Sequence, residues 1–436
     1  MTKYQFIIAS ILFFAFSNTN AQEIISLETA VKVALENNYE IKIASNNSLI
    51  NATNVTVGNA GMLPTVAATI TDNNRVQNSS QTLQNGTTNS LDNAKNNSLN
   101  YGVNLDWTVF DGFKMFAKLD QLKELQKLGE AQLKQTILTK ISAVTSTYFD
   151  LVQQQQQLKA LDSTIVISNQ RLALAQNRFT IGKASKLEVL NAQVDLNTDK
   201  VSLLRQKDLY ANTKILFNQI LARDTKTDFK VIDTIKVDAN LVLNELTSLA
   251  EKQNPQLEAQ IIALKVAELQ LKQIKANRYP SLKLSTGYNL ANTQASLGFA
   301  TATSAKGFNY GFSAALNIFD GLSQNRNEKI AHLQIDNSKL ILEEQKLALQ
   351  SQLATSFQTY TTNLELISLE EKNEAIAKQN LAITLDKFKI GTITTLEFRA
   401  AQLNYVNAKV RNSNAQFQAK LSEIALKELA GIINLN

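Results

Sequence analysis

The sequence contains no cysteine, and its single histidine is His332. Disulfide bonds, thiolate chemistry and a lipid-bearing cysteine are therefore excluded, and the usual ligands of zinc, copper and haem iron are almost absent. His332 falls in the helical stretch NEKIAHLQID, where it reads as an ordinary helix residue. We expect no catalytic residue, no metal site and no cofactor, so the residue inventory argues against an enzyme.

Clusters of one charge and long apolar runs are also missing. The 44 basic and 38 acidic residues give a net charge of +6 that is spread along the chain. No Lys/Arg-rich cluster indicates a nucleic-acid partner. After residue 21, no apolar run reaches the roughly 18 residues that indicate a membrane-spanning helix. The expected protein is either soluble after export or crosses a membrane through β-strands, whose sequence signal is weak.

The first 21 residues have the three parts of a secretory signal peptide. Lys3 supplies the positive start, residues 6–16 form an apolar stretch, and residues 19–21 (TNA) supply the small-residue end. A membrane-anchor helix is the weaker alternative, because the apolar stretch is well short of the roughly 20 residues that a span needs. We expect cleavage after Ala21, which leaves Gln22 as the first residue.

The rest of the sequence contains one pattern of motifs twice. The tripeptide Phe-Asp-Gly occurs at 110–112 and at 319–321, an interval of 209 residues (319 − 110 = 209). The stretches FTIGKASKLE (179–188) and FKIGTITTLE (388–397) repeat the same interval (388 − 179 = 209). Matched motifs in the same order at one spacing indicate an internal duplication.

Two earlier landmarks repeat at a slightly longer interval. Pro64 and Pro280 are 216 residues apart (280 − 64 = 216), and so are Asn38 and Asn254 (254 − 38 = 216). A change of interval between matched landmarks is typical of a loop that varies within a shared frame. The predicted domains are a first repeat at 22–225, an inter-repeat linker at 226–243 and a second repeat at 244–436.

Each repeat has the same predicted order of elements: a helix, two strands, a long helix, a turn and a second long helix. The strands alternate apolar and polar residues, as in SLNYGVNLDWTVF and GFNYGFSAALNIF, which indicates a sheet with one apolar face. A soluble β-sandwich gives the same alternation, so the pattern alone does not establish membrane strands. The predicted strands are about 62–75, 98–110, 280–290 and 307–319, the opening helices are 26–58 and 244–276, and the exposed polar loops are 72–97 and 291–306.

The first long helix is predicted over 113–178, which contains no proline and has Gly129 as a mild helix breaker. Residues at alternating steps of three and four, including Ser168, form a heptad seam along it. At about 1.5 Å per residue the helix would be on the order of 100 Å long. Such helices must pack side by side as coiled-coil hairpins.

Glycine turns separate the long helices of both repeats. In each turn a glycine suits the left-handed conformation that ends a helix, a Ser or Thr is a favourable N-cap, and a Glu three residues later is predicted to complete a capping box. These residues are Gly182, Ser185 and Glu188 in the first turn and Gly391, Thr394 and Glu397 in the second.

The Phe-Asp-Gly motif joins the second strand of each repeat to the long helix. The aspartate can cap that helix, and the glycine eases the abrupt change of direction. We therefore expect a structural role and no catalysis at these joints. The joint residues are Phe110, Asp111 and Gly112 in the first repeat and Phe319, Asp320 and Gly321 in the second.

Four strands per chain are too few to close a membrane barrel, since single-chain barrels begin at about eight strands. Open sheet edges are not tolerated in lipid, so membrane strands would require several chains in one barrel. Two chains would give eight strands and three would give twelve, and the periodicity does not choose between them.

The duplicated order of elements, the repeated Phe-Asp-Gly, the F-x-x-G turns and the N-N-x-x and N-P-x-L stretches together resemble the TolC-type outer-membrane efflux protein family. The resemblance covers essentially the whole mature chain. It implies a mainly α-helical protein with membrane β-structure, in which a trimeric 12-stranded β-barrel is continued by a long α-helical barrel. The implied function is that of an outer-membrane channel, spanning into the periplasm, of a tripartite efflux or type I secretion system. The implied partners are two further copies of the chain, outer-membrane lipid, a periplasmic adaptor protein and an inner-membrane transporter.

The resemblance also implies roles for residues of the two turns. The implied adaptor contacts at the periplasmic tip are Gly182, Leu187, Gly391 and Leu396. Glu397 corresponds to an acidic position that narrows the aperture, where three carboxylates would favour cations, although capping alone explains this residue equally well. The family's second acidic position is Ala400 here. Its gate-locking Tyr and Arg are replaced by Phe388 and Ile393, which argues against the same ionic lock.

Two other classes stay open at this stage. A soluble exported coiled-coil scaffold, or an adaptor-like protein, would hold its strands in an accessory domain, although adaptors generally have one helical hairpin. An exported enzyme is disfavoured by the residue inventory. Drugs, metal ions and secreted polypeptides are all compatible with the sequence as cargo of a channel.

Overall fold

The structure is a computed structural model, and it describes residues 23–232 and 234–432. The predicted signal peptide at 1–21 lies outside the described residues. The elements, in chain order, are β1 (Glu23–Ile25), α1 (Leu27–Asn37), α2 (Tyr39–Thr53), β2 (Thr65–Thr82), β3 (Thr88–Asp111), α3 (Lys114–Thr180), α4 (Lys186–Ile220), β4 (Phe229–Val231), α5 (Leu243–Gln253), α6 (Pro255–Ala276), β5 (Ser281–Ala295), β6 (Ala302–Ala315), α7 (Ser323–Ile390) and α8 (Thr395–Leu429).

The chain divides into two compact units. The described residues of the first unit are 23–45, 132–232, 234–257 and 345–432, and those of the second are 46–131 and 258–344. Helices make up most of the first unit, and the second unit combines helices with long strands. The long helices are uninterrupted because the stretches between turns contain almost no proline or glycine.

The core of the first unit lies around a two-stranded parallel sheet of β1 and β4. Phe217 and Phe229 are fully buried there, with ring centroids 5.5 Å apart. The Tyr148 hydroxyl on α3 donates to the carbonyl of Ile25 (3.1 Å) and accepts the backbone N–H of Ile232 (3.1 Å). Burial raises the pKa of Tyr148. One aromatic side chain thus holds the ends of both strands against the long helix.

A buried asparagine separates α1 from α2. The Oδ1 of Asn38 accepts the backbone N–H of Glu40 (2.9 Å), which caps the start of α2. Its Nδ2 donates to the carbonyl of Ile220 (2.8 Å), the last residue of α4. The side chain therefore satisfies backbone groups at the beginning of one helix and the end of another.

The second repeat uses the equivalent asparagine in the same way. The Oδ1 of Asn254 accepts the N–H of Leu257 (2.9 Å), and its Nδ2 donates to the carbonyl of Leu429 (3.0 Å), the last residue of α8. The prediction of unbroken opening helices over 26–58 and 244–276 is therefore wrong. In each repeat, the asparagine side chain caps the first turn of a new helix.

The second unit contains a four-stranded antiparallel sheet in the order β2-β3-β5-β6. Within the two hairpins, Thr65 lies opposite Asp106 and Ser281 lies opposite Ala315. Between the hairpins, Asn104 of β3 lies opposite Gly287 of β5. The sheet therefore consists of two similar hairpins joined through their inner strands.

Asparagine amides cross three of these strands on the polar face. The Nδ2 of Asn289 donates to the Oδ1 of Asn104 (2.9 Å) and to the Oδ1 of Asn309 (2.8 Å). Asn289 lies directly opposite Gly102, whose missing side chain leaves room for the amide. A Cβ at Gly102 would lie 2.6 Å from the carbonyl oxygen of Tyr288. Glycine is therefore required by the close approach of β5.

The strands extend beyond their predicted ends at the hairpin turns. Most of the residues in 72–97 and 291–306, which were predicted as polar loops, lie in strands. Polar side chains pair across the hairpin there, as with Thr82 and Thr88, whose hydroxyl oxygens are 3.0 Å apart. The loop prediction is wrong because a composition rich in Asn, Ser and Thr reports exposure to water, and an exposed strand has the same composition.

At the other end of the sheet, the strand predicted at 307–319 stops at Ala315. Its counterpart β3 continues to Asp111, because Phe110 lies opposite Leu282 of β5. Residues 316–319 have no neighbouring strand within the described part of the chain. Apolar and polar alternation alone does not produce a strand there.

The long helices match their predictions closely. α3 has 67 residues and begins and ends within two residues of the predicted range 113–178. α7 has 68 residues and follows the second Phe-Asp-Gly motif in the same way. Among the helices of residues 23–232 and 234–432, none is both long enough and apolar enough to cross a membrane.

Candidate functional site

The turn between α3 and α4 has the conformation that its glycine predicts. Gly182 has a φ of 75°, and the N–H of Lys183 donates to the carbonyl of Arg178 (2.8 Å), which closes the end of α3. The Ser185 hydroxyl accepts the N–H of Glu188 (3.4 Å) and caps α4. The predicted capping box is wrong here, because the Glu188 carboxylate turns instead toward the Arg178 guanidinium (3.8 Å).

The turn between α7 and α8 has a complete capping box, which confirms that prediction. Gly391 has a φ of 83°. The Thr394 hydroxyl accepts the N–H of Glu397 (3.2 Å), and the Oε2 of Glu397 accepts the N–H of Thr394 (2.8 Å). Ile393, before the cap, packs with Phe398 of the first turn of α8 in one apolar cluster, which is the arrangement of a hydrophobic staple. Glu397 therefore holds a fixed position at the start of α8.

Arg178 connects the two turns. Its guanidinium carbon lies 5.3 Å from the centroid of the Phe388 ring, a cation–π contact. Phe388 in turn stacks on Phe398, with centroids 4.9 Å apart and an interplanar angle of 9°. A Cβ on Gly391 would lie 2.5 Å from the Nη2 of Arg178. The structure thus brings the two turns side by side. The positive φ favours glycine at 391, and a side chain there would displace the Arg178 guanidinium from its present position.

Both turns expose large apolar side chains. Leu187 is 64% exposed and Leu396 is 72% exposed, and Ile181 and Ile390 at the ends of the preceding helices are also exposed. Backbone caps and the Arg178 contact hold these side chains on ordered turns. Several large apolar side chains exposed on the same pair of turns are typical of contact with another protein.

A buried polar network connects α3, α4 and α8. The Nη1 and Nη2 atoms of Arg399 each donate to one carboxylate oxygen of Asp199, both at 2.7 Å. Ser168 of α3 donates to the same carboxylate (2.5 Å), and Arg171 of α3 pairs with Asp195 of α4. Hydrogen-bonded charges of this kind fix the relative position of the helices that carry them.

The sequence motifs do not indicate this network. Its main partners, Asp199 and Arg399, lie 200 residues apart and outside both repeated motifs. The one available signal is Ser168, a polar residue in the predicted heptad seam of α3. A polar residue at a buried seam position needs a hydrogen-bonding partner, and here that partner comes from another helix.

The Phe-Asp-Gly joints cap the long helices as predicted. The Oδ1 of Asp111 accepts the N–H of Met115 (3.1 Å), and the Oδ2 of Asp320 accepts the N–H of Gln324 (2.8 Å). Phe110 lies near the end of β3, opposite Leu282. Phe319 is exposed.

Each joint contains two consecutive residues in the left-handed region. Gly112 (φ 71°) is followed by Phe113 (φ 69°), and Gly321 (φ 67°) is followed by Leu322 (φ 63°). A residue other than glycine costs roughly 1–2 kcal/mol in this conformation. The sequence indicated the glycine of this turn but gave no sign that the next residue would share its conformation.

Charged side chains pair beside the second joint. The Nε of Arg278 donates to the Oε1 of Glu328 (2.5 Å), and its Nη2 donates to the Oδ1 of Asn325 (2.6 Å). The hydrogen bond from Arg278 lowers the pKa of Glu328 below the ordinary carboxyl value. This pair connects the end of α6 to the start of α7.

Among residues 23–232 and 234–432, no group of three or more His, Cys, Asp or Glu side chains is arranged to hold a metal ion. His332 lies exposed on α7. The contacts at the turns and joints are helix caps, ion pairs and apolar packing.

Comparison with known proteins gives a family for both halves of the chain. The sequence profile described as "Outer membrane efflux protein" matches residues 30–222 and 246–432. The chain is 22% identical over 343 residues to outer membrane protein TolC of Vibrio cholerae. The matched residues cover 77% of this chain and 77% of that relative. It is 21% identical over 349 residues to outer membrane protein TolC of Escherichia coli, covering 78% of this chain and 70% of that relative.

A solved structure shares the fold. The Campylobacter jejuni CmeC outer membrane channel superposes on this chain with a TM-score of 0.78 and 18% identity, covering 93% of this chain and 85% of the channel. This chain therefore has the same fold as that channel.

Proposed function

Because this chain belongs to the outer membrane efflux protein family, we propose that three copies assemble into one continuous duct through the outer membrane and the periplasm. The protein is an outer-membrane channel for efflux or secretion. In the proposed assembly, the three sheets form a twelve-stranded β-barrel and the long helices form an α-helical barrel. The duct is passive, and an inner-membrane transporter supplies the driving force.

The two open edges of the four-stranded sheet carry this proposal. β2 and β6 each have one neighbouring strand within the described part of the chain, and every residue of β6 is exposed. Unpaired backbone N–H and C=O groups are not tolerated in hydrocarbon, so these edges need strands from other copies. Three copies of a four-stranded sheet give an even-numbered barrel without a free edge.

The two faces of the sheet support lipid on one side and water on the other. Phe308, Tyr310 and Phe312 project from one face of β6, and all three are exposed. Asn309 and Gly311 alternate with them on the opposite face. An apolar outer face and a polar inner face are the pattern of a membrane barrel with a water-filled lumen.

The proposed repeats are residues 22–225 and 244–436, with a linker at 226–243 and a cleaved signal peptide at 1–21. The two family matches, one in each half of the chain, support this division. We place both Phe-Asp-Gly joints at the periplasmic edge of the membrane, where strands give way to helices. The exposed aromatic ring of Phe319 suits that interface.

We assign the docking surface for a periplasmic adaptor protein to the two helix-hairpin turns. The exposed leucines support this assignment, because ordered apolar side chains at the end of a long hairpin suit contact with another protein. The inner-membrane transporter would join the assembly through the adaptor. The proposed contact residues are Gly182, Leu187, Gly391 and Leu396.

We also propose that Glu397 lines the aperture at these tips. In a trimer, three Glu397 side chains would lie around the axis and favour cations. The capping box supports the proposal, since it holds the carboxylate in one position at the start of α8.

The trimeric channel is tested by its mass and its conductance. The protein extracted from outer membranes in detergent should have the mass of three chains, and it should form discrete single-channel openings in a planar lipid bilayer. A matched extract from cells without the protein is the control. A stable dimer, or a trimer that leaves the bilayer non-conducting, would contradict the proposal.

A further inference from the structure

The two hairpins of the sheet have the same pairing register. Asn73 lies opposite Ser98 in the first hairpin, and Asn289 lies opposite Gly307 in the second. The first strands are related by 216 residues (289 − 73 = 216) and the second strands by 209 (307 − 98 = 209). These are the same intervals that relate the sequence motifs. The duplication is therefore preserved residue by residue in the sheet.

The contact between β3 and β5 joins the second strand of one hairpin to the first strand of the next. In a closed ring of hairpins, β6 of one copy must meet β2 of the next copy in the same relationship. We propose that this interface between copies repeats the β3–β5 register. The inference rests on the proposed trimer and specifies which residues of the two copies face each other.

The register follows from the two intervals. Asn104 lies opposite Gly287, and their counterparts are Ser313 (104 + 209 = 313) and Thr71 (287 − 216 = 71). Ser313 of one copy therefore lies opposite Thr71 of the next. By the same rule, the other pairs between copies are Gly307 with Gln77, Tyr310 with Asn74, Gly311 with Asn73 and Asn317 with Ala67.

The faces of the two strands agree with this register. Residues directly opposite each other project from the same face of a sheet, and a shift by one residue would exchange the faces. Ile70 of β2 lies opposite Tyr101, so it lies on the sheet face that carries the apolar residues of β3. Val76 lies opposite Lys95 and therefore lies on the same face. In the proposed register they face Ala314 and Phe308, respectively, which lie on the aromatic face of β6.

Gly311 favours this register among the shifts that preserve the faces. Gly102 must lack a side chain because Asn289 and the backbone of β5 approach it. Its counterpart is Gly311 (102 + 209 = 311), and the counterpart of Asn289 is Asn73. Among the described residues of one chain, no atom lies within 4 Å of a Cβ built on Gly311. A glycine in the middle of a strand weakens it. The close approach of Asn73 from the next copy would explain why position 311 is nevertheless glycine.

The same register continues to the joint. Asn317 and Phe319 correspond to Thr108 and Phe110, between which the β3–β5 pairing has a bulge. Phe319 would then lie opposite Val66 of the next copy. Residues 316–319, which lie beyond the end of β6, become part of a strand in the trimer.

Engineered cysteine pairs test the register, because the natural chain contains no cysteine. The Ser313→Cys/Thr71→Cys variant places the two Cα atoms about 4.5–5.5 Å apart across the interface, within disulfide range. Within one chain the two positions are separated by two intervening strands, about 14 Å, so a bond inside the chain is excluded. Oxidation of the assembled protein in membranes should give a covalent trimer on a denaturing gel and monomers after reduction.

Two matched pairs test the neighbouring registers. In Ser313→Cys/Thr69→Cys and Ser313→Cys/Asn73→Cys, the second cysteine is displaced by two residues, to about 7–8 Å, and we expect monomers. A trimer from either of these pairs, with monomers from the Thr71 pair, would overturn the register. Absence of any crosslink in a variant that still conducts as a trimer would overturn it as well. Loss of the trimer in the unmodified protein would instead overturn the proposed function.

A glycine pair gives a second test without cysteines. Gly311→Ala should reduce the fraction of protein recovered as trimer, because the new methyl group meets β2 of the next copy. Gly307→Ala is the matched control in the same strand, and its counterpart is Ser98, a position that already holds a side chain. Neither substitution meets another described atom of its own chain within 4 Å. Equal recovery of trimer from both variants would overturn the register.

Discussion

Arg399 on α8 and Asp199 on α4 form a buried, bidentate ion pair, with both N–O distances at 2.7 Å. Arg399 is 9% exposed and Asp199 is 6% exposed. The two residues belong to different helical hairpins, whose turns also meet through Arg178 and Phe388. The pair therefore fixes one hairpin against the other close to the proposed periplasmic tip.

Removing one partner of this pair should be costly. We expect Asp199→Ala to lower the free energy of unfolding by about 3 kcal/mol, because the buried Arg399 guanidinium loses its bidentate partner and keeps only the Asp195 carboxylate, at 3.7 Å, as a charged partner. Replacing both residues with apolar ones, as in Asp199→Leu/Arg399→Met, should recover most of the loss. Denaturant unfolding in detergent measures both effects.

The exposed pair of Lys339 and Asp336 (3.4 Å) serves as the control for this prediction. Asp336→Ala should change the free energy of unfolding by less than about 1 kcal/mol, since both side chains are solvated. If Asp199→Ala were no more destabilising than Asp336→Ala, the buried network would have no part in holding the hairpins together.

The asparagine between α1 and α2 gives a second prediction. Asn38→Ala removes the cap of α2 and leaves the partly buried carbonyl of Ile220 without this side-chain donor. We expect a loss of about 2 kcal/mol in the free energy of unfolding. Asn37→Ala is the matched control, because Asn37 is adjacent and exposed. Equal effects of the two substitutions would show that the helix junction does not depend on the Asn38 side chain.

Substitutions at the equivalent positions after α4 and α8 should change the stability of the protein in opposite directions. Ala222 has a φ of 51° at the position where the second repeat has Gly431, with a φ of 74°. Ala222→Gly should stabilise the protein by about 1 kcal/mol, because glycine adopts this conformation without strain. Gly431→Ala should destabilise it, since its Cβ would lie 2.6 Å from the carbonyl oxygen of Gln253. Thermal unfolding midpoints that move the same way for both would contradict this account.

The sequence predicted those features whose causes are local. Gly182 and Gly391 mark the hairpin turns because the left-handed conformation favours glycine, and the absence of proline predicts the long helices. The Arg399–Asp199 pair could not be predicted, because periodicity carries no information about which helices are neighbours. The ends of the strands were wrong for a related reason. Polar residues such as Thr82 and Thr88 stay in a strand because they have a partner strand, and residues 316–319 leave one because they have none in the described chain.

Glu397 and Glu188 allow the proposed aperture to be separated from a general effect of charge at the tips. We expect Glu397→Gln to lower the ratio of cation to anion permeability, because three carboxylates near the axis would be lost. Glutamine retains the capping box, so the thermal unfolding midpoint should hardly change. The reversal potential of single channels under a KCl gradient measures the permeability ratio. Glu188→Gln removes the same charge from the other turn, where Glu188 pairs with Arg178 (3.8 Å), and it should leave the reversal potential unchanged. An unchanged potential in Glu397→Gln, or equal changes in both variants, would show that Glu397 only caps its helix.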